Sequence, residues 1–112
     1  YLDRWLAQRS FIRPWEESNN IVNVASYLAL CNDNGDTRGK ERLFQMLEWH
    51  QKFQNPLTGG FDNFNRNRNN IIQSMAGAVH NFHIYHYLNE KINYENQILR
   101  SRSDCYRIAA FT

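Results

Sequence analysis

Three histidines supply the first candidate chemistry. His80, His83 and His86 lie at i, i+3 and i+6 within Ile71–Leu88, IIQSMAGAVHNFHIYHYL. On a helix they span about 120° of surface, so neighbours in the set could share a metal ion or move a proton. The i, i+4 spacing of H-E-x-x-H is missing, and no carboxylate shares their face. Neutral histidines satisfied by hydrogen bonds are preferred to ligands, and no metal or other cofactor is expected.

Glu16 and Glu17 follow Trp15 at the mouth of a long apolar segment and are the most site-like carboxylates in the chain. Their plainer role is to complement the positive end of a helix, beside an ordinary buried tryptophan. Asn19, Asn20 and Asn23 could bind hydroxyl groups, although caps and turns account for the first two equally well. Asn32, Asn34, Gly35 and Glu41 fall at the third, fifth, sixth and twelfth positions of a calcium loop. The first position falls on Leu30, whose side chain has no oxygen, so calcium is rejected. Cys31 and Cys105 belong to different predicted helices and are read as buried free thiols, which makes the cytoplasm the expected compartment. No G-x-S-x-G, Walker A, G-x-G-x-x-G or C-x-x-C motif is present.

The elements that must position these groups are helical. A hydrophobic fraction of 42% with 21% charged residues belongs to a folded chain, and 112 residues make one domain with one modest core. A net charge of +2 is too small to argue for nucleic acid, and Arg66, Arg68, Arg100 and Arg102 read as solvated clusters. The segment 71–88 is just long enough to cross a bilayer, but Gln73, Asn81 and three histidines argue against a membrane partner.

Leu2, Trp5 and Leu6 mark a short helix within Tyr1–Arg9, broken where Arg13 precedes Pro14. Ser18 is expected to cap a nearly all-apolar helix over Asn20–Cys31, and 32–39 is a turn. Lys40–Gln54 is amphipathic, with Leu43, Met46, Leu47, His50 and Phe53 facing inward. A loop over Asn55–Asn70 leads to the apolar helix Ile71–Leu88. In that helix Met75, Ala76, Val79, Phe82, Tyr85 and Leu88 form the broad face, and burial is expected on most sides. Tyr94–Phe111 is a last helix, with Ile98, Cys105, Ile108 and Ala109 facing inward and a polar gap at Arg100, Arg102 and Asp104. The predicted fold class is all-α, with antiparallel hairpins in which amphipathic outer helices alternate with apolar inner ones.

That alternation, together with residues 47–61, LEWHQKFQNPLTGGF, resembles the repeat of the (α/α) toroid superfamily. Terpene cyclases, protein prenyltransferases and several carbohydrate-active enzymes belong to it. Its repeats often end an outer helix with Gln, then Gly, any residue and an aromatic ring, and Gln54, Gly59 and Phe61 match those positions. A glycine there supplies a turn with positive φ, and Phe61 folds back as a hydrophobic plug. The likeness covers roughly Pro14 to Leu88. The chain departs from the family in lacking the Asp-x-Asp-Asp motif of squalene cyclases and any assignable prenyltransferase zinc set.

The resemblance implies an enzyme segment acting on a glycan or similar substrate. Trp15 would stack on a sugar ring, and Glu16 or Glu17 would act as acid or base. Asn20 would bind a hydroxyl, while His80 and His83 would face the cavity to transfer protons or bind substrate. The competing expectation is a non-catalytic helical module whose incompletely covered inner surface meets another copy of itself, another protein or the rest of a larger chain. On either reading the sequence is that of a piece of a larger toroid or of a smaller helical domain sharing the local pattern.

Overall fold

The computed structural model describes residues 2–11, 13–61 and 68–111, with side chains described except at 68–71 and 104–111. Arg66, and the side chains of Arg68, Asp104, Cys105, Ile108 and Ala109, lie outside this set. The described fold is all-α, in the order α1 (Leu2–Ala7), α2 (Pro14–Asp33), α3 (Arg38–Gln51), α4 (Arg68–Leu88) and α5 (Glu95–Phe111). One isolated antiparallel bridge joins Gln54 to Phe61.

Helix α2 starts six residues earlier than its apolar run. Pro14 occupies the first turn, where its missing N–H costs nothing and its fixed φ suits the helix. Ser18 is therefore not the expected cap; it lies inside α2, fully buried. The 34–37 turn folds α3 back along α2, and Asp36 accepts hydrogen bonds from Arg38 at 2.9–3.1 Å at the start of α3. The inward stripe of α3 is as expected: Leu43, Met46, Leu47 and His50 are buried and Phe53 is half-buried. Helix α1 lies on α3, where Gln45 donates to Asp3.

The most extensive packing is between α2 and α4, the two apolar helices. They run in the same direction. Asn81 donates to the Ser18 hydroxyl at 2.9 Å in the N-terminal half of α2, and the Tyr87 hydroxyl reaches Asp33 at 2.6 Å near its C-terminal end. Close approach depends on Gly77, where a Cβ would stand 2.6 Å from Ser18 Oγ and 3.0 Å from the Pro14 carbonyl oxygen. The contact stripe of α4 is therefore Gly77, Asn81, Ile84 and Leu88, at i, i+4, i+7 and i+11, all buried.

The broad face read from hydrophobicity is buried only in part: Tyr85 and Leu88 are buried and Met75 and Phe82 half-buried, but Ala76 and Val79 are exposed, whereas Ala78, Asn81 and Ile84, outside that face, are buried. Neither apolar helix is enclosed as far as its composition suggests. α3 covers one side of the α2–α4 pair, and Tyr27, Leu30 and Val79 remain 66%, 60% and 60% exposed. By helical periodicity Leu30 and Val79 lie on the side away from α3.

The core itself is a ring cluster. Phe11, Trp49, His50, Phe53, Phe61, Phe82 and Tyr85 meet with centroid separations from 3.7 to 6.5 Å. Each fully buried large side chain in it contributes roughly 1.5–3 kcal/mol of transfer free energy.

Candidate functional site

Two clefts flank α2. The first, about 280 Å³, is lined by Ser10, Arg13, Glu16, Glu17 and Asn20, so it gathers three of the residues singled out from sequence. Both carboxylates are engaged by arginines there. Glu17 lies 3.6 Å from Arg9 and accepts a hydrogen bond from the Ser10 amide at 3.3 Å, while Glu16 lies 3.5 Å from Arg13 at the surface. Arg9 in turn covers the Trp5 ring at 4.6 Å. Adjacent residues diverge by about 100° on a helix, so the two carboxylates address different arginines rather than one substrate bond.

The second cleft is a groove of about 620 Å³ along the α2–α4 seam. Ala25, Leu43 and Ile84 belong to its apolar floor; Ser26, His80, His83, His86 and Tyr87 supply its polar groups. The gap exists because Ala25, Ser26 and Ala29 are small where α2 faces α4. At its upper end the Tyr87 hydroxyl accepts from Asn32 at 3.0 Å and donates to Asp33, whose hydrogen bond raises the phenol pKa. Among the described residues no Asp, Glu, Lys or Arg lines the groove. It suits an uncharged ligand with an apolar face and hydrogen-bonding edges. Among the described residues no group of three or more His, Cys, Asp or Glu could hold a metal ion.

The residues expected to act together are thus divided. Glu16, Glu17 and Asn20 share the first cleft, and His80 and His83 share the second; the two have no lining residue in common. Glu17 and Val22 are about 140° apart round α2, which sends the clefts to different flanks. Trp15 lines neither cleft; it is 47% exposed rather than buried, and lies two turns before Val22 on the groove flank.

A third polar constellation escaped the sequence reading as a unit. His50, Asn81, Ser18 and Tyr85 are buried together between α2, α3 and α4. Burial pushes the His50 imidazole down to about 3, with the nearby Asn81 amide opposing the shift, and burial pushes the Tyr85 phenol up. Neither His50 nitrogen, nor Asn81 Oδ1, nor the Tyr85 hydroxyl has a hydrogen-bond partner of ordinary geometry. The visible signal was a histidine in the apolar stripe of α3 opposite an asparagine in the middle of α4. Cys31 is a half-buried free thiol. None of the described helices is long and apolar enough to cross a membrane. Compared with protein-family models, curated proteins and solved structures, the chain matches none of them.

Proposed function

We propose that the chain is a helical interaction module that associates with a second copy of itself through the α2–α4 side facing away from α3. The observation that carries this reading is the pairing of two apolar helices whose side away from α3 keeps large apolar side chains exposed. Leu30 and Val79 stand 60% exposed there, beside a groove whose described lining residues include no Asp, Glu, Lys or Arg. Exposed apolar surface of this kind gains by being removed from water, and a groove whose described lining carries no charge, with Asp33 only at its upper end, presents little like-charge repulsion to a copy of itself. The reading is one of binding rather than catalysis, since Glu16 and Glu17 open to a different cleft from His80. A free thiol at Cys31 supports the cytoplasm as its compartment.

Light scattering after size exclusion tests it. The chain should elute as a dimer at micromolar concentration, and Leu30→Asp with Val79→Asp should elute as a monomer of unchanged helicity. A monomeric parent chain would end the proposal.

A second reading rests on the 54–61 turn, where Gln54, Gly59 and Phe61 match the positions of the toroid repeat, Gly59 holds a positive φ and Phe61 is buried. On that reading the chain is the glycan-binding part of a toroid enzyme, with Trp15 and His83 toward the substrate. Titrating the same preparation with neutral oligosaccharides separates the two, because the second requires saturable binding that Trp15→Ala weakens.

A further inference from the structure

We infer that the 54–61 turn is an acid-released latch: a proton placed on His50 drives Phe61 out of the core and frees α5 from the rest of the fold. The geometry is a relay of direct contacts. The His50 ring lies on the Phe61 ring at 3.7 Å between centroids and 16° between planes. Phe61 ends the turn, and the turn holds α5. Gln54 donates to the Gly59 carbonyl at 3.0 Å and to the Asn93 carbonyl at 2.9 Å, and Ser101 of α5 donates to the Thr58 carbonyl at 2.8 Å. Ile98 of α5 packs against Gly59. Among the described residues α5 makes its remaining helix contacts with α4 and none with α3, so the turn is its link to the α3 side.

Among the described residues the Asn81 amide alone favours a positive charge on His50, and burial outweighs it. From its own helix it meets Trp49, and from the segment before α2 it meets Phe11. The turn contributes Phe61; α4 contributes Tyr85, whose phenol is held neutral by burial, and the Asn81 amide. The charged pair on the segment carrying Phe11 and on α2, Arg9 with Glu17, is self-compensating at 3.6 Å. No carboxylate contributes to the His50 shift. Stacking on Phe61 offers an imidazolium far less than water does.

The closed state therefore binds the proton only near pH 3, whereas an open state with the ring in water binds it near 6.5. The sign follows: the latch is fully closed above pH 6.5 and is progressively opened as pH falls from 6.5 toward 3. Between pH 7.5 and 5.0 the opening equilibrium should rise about thirty-fold.

Hydrogen exchange of the whole chain at pH 7.5 and 5.0, corrected for intrinsic exchange rates, reads this directly. Protection at residues 55–61 and 95–103 should fall by about thirty-fold while protection in the α2–α4 seam, residues 18–30, holds. A uniform fall across all helices, or no fall at 55–61, would overturn the latch. His50→Leu should remove the pH dependence of the turn. Should that variant not fold, the regional pattern of the parent chain decides alone.

Discussion

Replacing Gly77 by alanine separates a close α2–α4 crossing from an ordinary helix position, because the two differ in sign. A glycine within a helix is about 1 kcal/mol less favourable than alanine, so an unhindered Gly→Ala change would stabilise the chain by about that amount. Here the new methyl would stand 2.6 Å from Ser18 Oγ, 3.1 Å from Ser18 Cβ and 3.0 Å from the Pro14 carbonyl. The hydroxyl can swing aside only by abandoning the buried Asn81 amide that donates to it at 2.9 Å. Leaving that amide unpaired costs about 1–3 kcal/mol, and the backbone carbonyl cannot swing at all. Overpacking of a tight seam adds roughly 1–3 kcal/mol. Against the propensity gain, the net expectation is a loss of about 3 kcal/mol, or a Tm lower by roughly 12 °C in a chain of this length. Urea unfolding followed by far-ultraviolet circular dichroism measures it, and adding Ser18→Gly should recover part of the loss through a coupling of about 1 kcal/mol. A Gly77→Ala chain as stable as the parent, or more so, would refute the crossing as described.

The turn carries two further expectations. Phe61→Ala removes a fully buried ring from the centre of the aromatic cluster and should cost about 3–5 kcal/mol in denaturant unfolding; a loss below about 1 kcal/mol would mean that the ring is not a core plug. Gly59 holds φ at 78°, and its missing Cβ is filled by Ile98. Gly59→Ala should therefore cost more than about 2 kcal/mol from left-handed strain and overpacking together, and calorimetry showing an unchanged Tm would contradict the turn.

What was legible in the sequence had short-range causes. The α3 stripe follows from 3.6-residue periodicity with charged residues opposite, and it appears with His50 included. The 54–61 turn follows from a glycine that can take positive φ and an aromatic ring that must leave water. The beginning of α2 is not visible in the apolar run, because Pro14 already provides the first turn ahead of it.

Burial in α4 was misjudged for a different reason. Hydrophobicity favoured Ala76 and Val79, but the approach of α2 is decided by where a side chain is absent, and Gly77 brings its own stripe inward. Asn81 is buried because Ser18 is waiting for it 63 residues away in sequence, a pairing that periodicity does not contain. The proposed site was divided for the same reason. Which flank of α2 meets α4 is a tertiary fact, and it sends Glu17 and His80 to separate clefts.

α2 and α4 lie side by side and run in the same direction, and the groove between them and the burial pattern along α4 depend on it. Inter-residue nuclear Overhauser effects in the labelled chain test it at both ends. Cross-peaks are expected between the Gly77 Hα protons and the Ser18 Hβ protons, and between the Tyr87 ring and the Ala29–Asp33 turn. Cross-peaks from Gly77 to the Ala29–Asp33 end of α2, or none between these helices, would contradict it.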